Sequence, residues 1–318
     1  MRAMVIRNFG GPEMFESRDL RRPDPRAREV LVRVVASSVN PVDTKIRAAG
    51  SWAGVVPPAV IGYDVSGVVE DAGREVTDLA IGDEVFFTAE IFGNPHGCYA
   101  EFTVADTSIV ARKPRSLTHH EAAALPLAGG TAWYGLIERA QVRAAESVLI
   151  HGAGGVGSLA IQIAKAAGAR VVATSGESTL ELARELGADE VVDYRDGDLV
   201  GAVDRVSGGR GVDAVIDTAG GDNLPRSIEL TRPFGRMVSV VGVKGSLDAA
   251  GVKNLTVHYF FLPRAKGKIE ALADLADRGL LRPVIDRVMP LEEVAEAHRS
   301  VEAGGLKGKI VLSVSNAP

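Results

Sequence analysis

A glycine-rich stretch decides the fold of this chain: His151-Gly152-Ala153-Gly154-Gly155-Val156-Gly157-Ser158. It follows an apolar run at 148–150 and opens into 159–165, which carries the apolar stripe of an amphipathic helix. A second apolar run, 170–174, comes shortly after Gly168. Strand, glycine turn, helix and strand within about 30 residues form the context in which a G-x-G-x-x-G sequence binds a dinucleotide.

Each glycine of the stretch has its own physical role. Gly152 permits a tight turn, Gly154 lets the backbone approach a pyrophosphate, and Gly157 lets the helix pack closely on the strand. The first amide groups of the helix have no partner inside it and carry partial positive charge, which favours a diphosphate. The pattern therefore favours a dinucleotide site over a glycine-rich turn that binds nothing. The predicted contacts are Gly152, Gly154, Gly155, Val156 and Gly157.

Length and composition limit the class of protein. A chain of 318 residues leaves room for about two domains. The net charge of −5 and the lack of a basic cluster argue against nucleic acid as a partner. Cys98 is the only cysteine, which excludes an internal disulfide and a cysteine-rich zinc site. The N-terminus lacks a signal-peptide pattern, and the uncharged stretch 122–137 is broken by proline and glycine, so we expect a cytoplasmic protein without a membrane span.

The chain changes character along its length. The first third has short Val-rich runs between glycine and proline turns, which is typical of a compact β-rich domain. From 147 to 261 strands and helices alternate, which predicts an α/β fold with a doubly wound parallel sheet of the Rossmann type. The predicted strands are 148–151, 171–174, 190–194, 212–217, 237–241 and 256–261. Because part of the tail returns to the first domain, the predicted domains are 1–118 with 282–318, and 119–281.

Several short motifs occur in a fixed order. They are Asn40-Pro41-Val42-Asp43, Gly62-Tyr63-Asp64-Val65-Ser66-Gly67, Gly82-Asp83-Glu84-Val85, Leu125-Pro126-Leu127-Ala128, the glycine-rich stretch and Gly308-Lys309-Ile310-Val311. In this order and spacing they resemble the medium-chain dehydrogenase/reductase superfamily over essentially the whole chain. The sequence looks most like its zinc-free quinone oxidoreductase branch, in particular the enone or alkenal reductases. This resemblance implies a GroES-like β-rich N-terminal domain beside the Rossmann domain.

The resemblance also bears on metal chemistry. Zinc-dependent members of the superfamily place Cys, His and Cys ligands at positions that correspond here to Asn40, Tyr63 and Leu127. An amide, a phenol and an alkyl chain do not make a zinc site, because zinc takes sulfur, imidazole or carboxylate donors. We therefore expect no metal. An alcohol dehydrogenase that holds a metal at an unrecognised site remains a rival hypothesis.

Without a metal, a conjugated substrate is the easiest to reduce. Hydride can add to the β-carbon of an enone, or to a quinone, if the protein positions the partners and stabilises the oxyanion that forms. By resemblance, the candidate catalytic residues are Lys45, Tyr63 and Asn40. Each also has a structural alternative. Lys45 could be a solvated surface lysine, Tyr63 a half-buried strand residue, and Asn40 the N-cap of a helix that begins at Pro41.

The end of the second Rossmann strand bears on the choice between NADPH and NADH. An NAD site usually has an acidic residue there, whereas this strand ends at Thr174 and Ser175, which leaves room for a 2′-phosphate. By resemblance Tyr194 contacts that phosphate, so we expect NADPH. Glu177 could bind the ribose of NADH instead, and the sequence shows no evident cation nearby. Further cofactor contacts implied by the resemblance are Thr131, Thr174, Ser175, Ala219, Gly220, Val241, Gly242, Val243, Phe261, Leu262 and Lys309.

The sequence thus predicts a zinc-independent, NADPH-dependent oxidoreductase that transfers hydride to quinones or α,β-unsaturated carbonyl compounds. The alternative from another class is a nicotinamide-nucleotide-binding protein with a structural or regulatory role. We expect a small-molecule substrate and a homodimer. The sixth Rossmann strand, 256–261, is apolar, and an exposed apolar edge tends to pair with another chain.

Overall fold

The computed structural model describes residues 1–315. Its strands are β1 Arg2–Ile6, β2 Phe15–Asp19, β3 Glu29–Val39, β4 Ala59–Val60, β5 Asp64–Ala72, β6 Glu84–Thr88, β7 Phe102–Asp106, β8 Ala111–Arg112, β9 Ser147–His151, β10 Arg170–Ser175, β11 Glu190–Asp193, β12 Val212–Asp217, β13 Thr231–Ser239, β14 Thr256–Tyr259, β15 Ile285–Pro290 and β16 Lys309–Ser313. Its α-helices are α1 Pro41–Ala49, α2 His119–Ala123, α3 Pro126–Trp133, α4 Gly155–Ala166, α5 Leu180–Glu185, α6 Leu199–Ser207, α7 Asn223–Arg226, α8 Lys266–Asp277 and α9 Val294–Ala303. In this part of the chain, no helix has both the length and the apolar character needed to cross a bilayer.

The described residues form two compact units. The first unit comprises 1–128 with 263–315, and the second comprises Gly129–Leu262. Segments 119–128 and 263–281, which the sequence analysis assigns to the second domain, lie in the first unit. The reason is packing: α2 contacts β3 and β5, and α8 contacts β6 and β8.

The first unit is built on two sheets. One has the strand order β15-β16-β3-β5-β6-β8, with β7 also paired to β3, and the other has the order β2-β1-β4. β16, from the C-terminal tail, pairs antiparallel with β3, so that Ile310 lies opposite Val39. Val, Ile and aromatic side chains such as Phe87 and Tyr99 form the core of this unit. The prediction of a β-rich N-terminal domain is confirmed, and β15 and β16 of the tail lie in its larger sheet.

The second unit has one parallel sheet with the strand order β11-β10-β9-β12-β13-β14. This is the Rossmann order, and the predicted doubly wound sheet is confirmed. The central strands are continuous apolar runs because helices cover both faces of such a sheet. β9 lies between β10 and β12, so the direction of the strand order reverses there. Ligands of doubly wound sheets bind at the carboxyl ends of the strands at this point of reversal.

The last Rossmann strand is shorter than predicted. β14 ends at Tyr259 instead of continuing to 261. Among residues 1–315 its one neighbour in the sheet is β13, which ends at Ser239, the residue paired with Tyr259. Phe261 follows this last pair and lies outside the described strand.

Candidate functional site

The glycine-rich turn joins β9 to α4 and has the geometry that the sequence predicts. Gly152 has φ +94°, a left-handed conformation that favours glycine. A Cβ on Gly157 would lie 1.8 Å from the carbonyl oxygen of Gly152, so only glycine allows this close packing. A Cβ on Gly154 would meet no described atom within 4 Å. The space beside Gly154 at the start of α4 is therefore open, and binding of a diphosphate by the first amides of this helix stays a prediction.

The turn after β12 lies against the glycine-rich turn. Asp217 Oδ1 accepts hydrogen bonds from the backbone N–H groups of Ala219 (3.0 Å) and Gly220 (2.8 Å). The Ala219 methyl lies 3.5 Å from the place of a Cβ on Gly152, and a Cβ on Gly220 would lie 3.2 Å from Val241. The structure therefore brings together three groups of predicted cofactor contacts: 152–157, 219–220 and 241–243.

The end of β10 also lies beside the glycine-rich turn. The Thr174 carbonyl oxygen accepts the N–H of Gly152 at 2.9 Å. The Ser175 hydroxyl is buried and hydrogen bonds with Thr179. The backbone N–H of Tyr194 donates to the Ser175 carbonyl oxygen at 3.1 Å, and its ring is exposed. The three residues predicted to surround the adenosine ribose are therefore neighbours.

Three other predicted contacts occupy different environments. Leu262 would lie 3.2 Å from a Cβ on Gly130, next to the buried Thr131, so these two predicted residues are close together. Phe261 is exposed. A role of Thr131, Phe261 and Leu262 in cofactor binding stays a prediction.

In the first unit, Asp64 is the acceptor around which the candidate catalytic residues are arranged. It is fully buried and accepts from Ser38 Oγ (2.7 Å), Asn40 Nδ2 (2.9 Å) and the backbone N–H of Leu127 (2.8 Å). Asn40 is the N-cap residue of α1, and its backbone N–H donates to Asp43 Oδ2 at 2.8 Å. Its side-chain amide is held in place by Asp64.

Lys309 supplies the positive charge opposite Asp64. Its buried Nζ donates to the Val39 carbonyl oxygen at 2.9 Å and to Asn40 Oδ1, and it lies 3.7 Å from Asp64 Oδ2. Burial lowers the pKa of Lys309, and the Asp64 carboxylate opposes that change. Lys309 therefore orients Asn40 within the first unit. Its predicted contact with the cofactor stays a prediction.

Tyr63 immediately precedes Asp64 in the chain, and its hydroxyl is a potential hydrogen-bond donor. The side chain is buried, and none of the described groups in residues 1–315 forms a hydrogen bond with its hydroxyl. Burial raises the pKa of Tyr63, and the nearby Asp43 carboxyl raises it further. The hydroxyl therefore stays protonated at neutral pH and can donate a hydrogen bond to a ligand oxygen.

Arg264 lies near Tyr63, and the sequence analysis missed it. Its Nε donates to the Ala89 carbonyl oxygen at 3.2 Å, while the Ala89 N–H donates to the Tyr63 carbonyl oxygen at 2.7 Å. Burial lowers the pKa of Arg264, and the nearby acidic groups oppose that change. An arginine keeps its charge even so. A cation therefore lies close to the free phenol.

Lys45, the third candidate, lies on α1 with an exposed side chain. Within the described part of the chain its ammonium forms no hydrogen bond or ion pair. The geometry is that of a solvated lysine, and its role toward substrate stays a prediction.

The three positions that correspond to zinc ligands do come together. Asn40 and Leu127 both donate to Asp64, and Tyr63 precedes Asp64 in the chain. Their side chains are an amide, an alkyl chain and a phenol, which do not fit a zinc ion. Within residues 1–315 no group of three His, Cys, Asp or Glu side chains is arranged to hold a metal.

Two exposed aromatic side chains, Trp52 and Phe92, form a surface that the sequence analysis did not identify. Their rings meet edge to face with 5.9 Å between centroids, and they are 47% and 53% exposed. Phe92 follows Ala89, the residue that contacts both Tyr63 and Arg264, by three positions. A flat apolar molecule would cover such a surface favourably.

A chain of buried polar side chains connects α1 with Tyr99 and His298. Asp43 Oδ2 accepts from the Asn40 N–H at 2.8 Å and from the Tyr99 hydroxyl at 2.9 Å, and Oδ1 has no partner among the described residues. His298 Nε2 lies 3.2 Å from the Tyr99 oxygen, and Arg47 lies 3.3 Å from His298 Nδ1. Burial raises the pKa of Asp43 to about 7 and lowers the pKa of His298 to about 3.

These two groups give opposite pH dependences. Folded Asp43 keeps a proton that the unfolded chain releases above its ordinary pKa of 3.8, so this group costs stability as the pH rises from 3.8 to about 7. Unfolded His298 takes up a proton below 6.5 that the folded protein refuses down to about 3. This second group therefore costs stability as the pH falls through that range.

Asp43→Asn is expected to make the protein more sensitive to acid. The variant loses the Asp43 titration and keeps that of His298, so its unfolding free energy should fall by about 1 kcal/mol per pH unit more than that of the wild type between pH 7 and 5. Urea unfolding at several pH values measures the slopes. The double variant Asp43→Asn/His298→Asn should have a flatter profile than the single variant. Parallel profiles for wild type and single variant would contradict the assignment.

Comparison with known proteins places this geometry in a family. Residues 26–115 match the family described as alcohol dehydrogenase GroES-like domain, and residues 186–312 match the family described as zinc-binding dehydrogenase. Human quinone oxidoreductase is 34% identical over 325 residues, which cover 98% of this chain and 97% of the relative.

Solved structures agree with this result. An alcohol dehydrogenase superfamily protein from Novosphingobium aromaticivorans superposes with a TM-score of 0.92 and 36% identity, covering 99% of this chain and 100% of the other. Escherichia coli quinone oxidoreductase complexed with NADPH superposes with a TM-score of 0.86 and 28% identity, with coverage of 99% and 100%.

A GroES-like unit together with a Rossmann unit is the architecture of the medium-chain dehydrogenase/reductases. The chain belongs to this superfamily, in its quinone oxidoreductase branch. It is an NAD(P)H-dependent oxidoreductase. The predicted family, fold and enzyme class are confirmed.

Proposed function

We propose that this enzyme transfers hydride from NADPH to quinones or α,β-unsaturated carbonyl compounds and needs no zinc. The observation that carries the proposal is the buried, protonated Tyr63 hydroxyl, which lies near the Arg264 cation. The names of two relatives support it, since one is a quinone oxidoreductase and another was crystallised with NADPH.

The chain's own groups suit the charge that such a reaction develops. When bound, the reduced nicotinamide supplies the hydride. As the β-carbon of an enone gains that hydride, the electron pair of its double bond shifts toward the carbonyl oxygen, which becomes an enolate oxygen. Tyr63 donates a hydrogen bond to this oxygen, and the positive charge of Arg264 stabilises it. A proton from water then completes the product, at the α-carbon of an enone or at the oxygen of a quinone.

Tyr63→Phe tests this assignment. The variant keeps the ring and loses the donor, so kcat/KM for a quinone or an enone is expected to fall about 100-fold. NADPH affinity and the unfolding midpoint should stay close to those of the wild type. Arg264→Met should lower kcat/KM by a similar factor, and Lys45→Met should have a smaller effect of about 10-fold if its ammonium assists proton delivery. Steady-state kinetics with both substrate classes measures these ratios, and wild-type turnover by Tyr63→Phe would exclude the proposed role.

The same assay tests whether turnover requires zinc. After dialysis against a strong chelator, turnover should be unchanged and the zinc content far below one ion per chain. Loss of turnover that zinc restores would favour the rival metal-dependent alcohol dehydrogenase.

The predicted homodimer and location remain proposals. β14 is an edge strand, and Val257 and Tyr259 on it are exposed, which supports pairing with a second copy. Light scattering should give twice the chain mass for the wild type and a lower mass for Val257→Lys/Tyr259→Lys. A monomeric wild type would contradict the dimer. The cytoplasmic location expected from the sequence stays a prediction.

A further inference from the structure

The strand ends that surround the adenosine ribose carry an arginine that the sequence analysis did not consider. β10 and β11 are parallel neighbours, and Ser175 at the end of β10 is paired with Asp193 at the end of β11. Tyr194 and Arg195 follow directly, and the Tyr194 N–H donates to the Ser175 carbonyl oxygen at 3.1 Å. Residues 194–195 therefore lie where a Rossmann fold binds the ribose of its dinucleotide.

The Arg195 side chain is held loosely in this place. Its Cζ lies 5.4 Å from the centroid of the Tyr194 ring, and its backbone N–H donates to Asp193 Oδ1 at 3.0 Å. Its Nη1 lies 3.9 Å from Glu177 Oε2, and both of these side chains are exposed. An exposed ion pair at this separation is weak and readily exchanged for a stronger anion.

The other polar groups at this position are already engaged. The Ser175 hydroxyl is buried against Thr179, so it does not present itself to solvent. A Cβ on Gly176 would lie 3.4 Å from the Tyr194 ring. The Tyr194 ring and the Gly176 backbone therefore border the space beside Ser175. The carboxylates that interact with the Arg195 guanidinium at this position are those of Asp193 and Glu177.

We propose that Arg195 is the residue that selects NADPH, by binding the 2′-phosphate of its adenosine. This inference rests on the proposed NADPH dependence and names the group responsible for it. A guanidinium binds a phosphate dianion through two parallel N–H···O bonds, which a single distant carboxylate does not match. The phosphate displaces Glu177 from Arg195, and the Tyr194 ring keeps the guanidinium beside the ribose.

Calorimetric binding of two adenosine nucleotides tests the proposal without turnover. Adenosine 2′,5′-bisphosphate and 5′-AMP differ only in the 2′-phosphate. Wild-type protein should bind the bisphosphate more tightly, and Arg195→Ala should reduce that affinity by about 10- to 100-fold while leaving 5′-AMP unaffected. Arg195→Lys should retain part of the difference, because lysine keeps the charge and loses the paired donors.

Two matched variants complete the experiment. Arg184 is a similarly exposed arginine that pairs with Glu181, and Arg184→Ala should leave both affinities unchanged. Glu177→Gln should raise the affinity for the bisphosphate several-fold, because it removes the competing carboxylate.

The possible results separate this inference from the proposed function. If Arg195→Ala behaves like Arg184→Ala, or if the wild type binds both nucleotides equally, the proposal is overturned. Equal binding together with quinone turnover on NADH would assign the ribose to Glu177 and leave the reductase function intact. Discrimination that disappears in Arg195→Ala, even without turnover on any quinone or enone, would support the inference while contradicting the proposed function.

Discussion

Gly154→Val should leave the nucleotide-free protein folded and weaken NADPH binding by about 100-fold. Gly154 has φ −77°, which valine adopts without strain, and a Cβ there meets no described atom within 4 Å. The added side chain would fill the space in front of the first amides of α4. Fluorescence titration with NADPH measures the affinity, and thermal unfolding without nucleotide measures the fold.

Gly157→Ala is the matched contrast. Its Cβ would lie 1.8 Å from the Gly152 carbonyl oxygen, so the strand and helix would have to separate. This variant should lose about 3 kcal/mol of stability even without nucleotide. If Gly154→Val bound NADPH like the wild type, the diphosphate would not lie on the helix start, and the assignment of the cofactor site would fail.

Asp64→Asn is expected to be the most destabilising isosteric change in the first unit, at about 3–5 kcal/mol. The side chain keeps its volume, so no cavity forms. What changes is that the buried Lys309 ammonium, 3.7 Å away, loses its counter-charge, and that the new amide N–H₂ group meets donors from Ser38 and Asn40. Urea unfolding at neutral pH measures the loss.

A double-mutant cycle identifies the cause of this loss. Adding Lys309→Met removes the uncompensated buried charge. The loss of unfolding free energy in the double variant should therefore be smaller, by about 2 kcal/mol, than the sum of the losses in the two single variants. Additive effects would show that Asp64 acts through its neutral hydrogen bonds and not through Lys309.

The parts of the molecule that the sequence predicted are those set by local chemistry. The glycine-rich turn could be placed because φ +94° at Gly152 and the close approach at Gly157 each demand glycine at a fixed spacing. The doubly wound parallel sheet of the second unit followed from the alternation of apolar runs and helices, since crossover connections leave few topologies.

The missed residues depend on distant contacts. Arg264 meets Ala89 across 175 positions of sequence, and no periodic pattern surrounds it. Arg195 follows β11, and only the pairing of β10 with β11 brings it to the end of β10, where the sequence pattern places the ribose site. Asn40 was a candidate catalytic residue with the N-cap of α1 as its alternative; it occupies the N-cap, and the contacts of its amide with Asp64 and Lys309 could not be read from the sequence.

The position of β16 has a consequence for biosynthesis. This strand fills the gap between β3 and β15, and its first residue, Lys309, neutralises Asp64. A ribosome makes this strand after the whole of the second unit. The contiguous second unit, Gly129–Leu262, can therefore acquire its structure while the first unit is still incomplete. Until β16 has been made, the edge of β3 that it covers is unpaired, so a chain truncated before Lys309 should aggregate while it still contains an intact nucleotide fold.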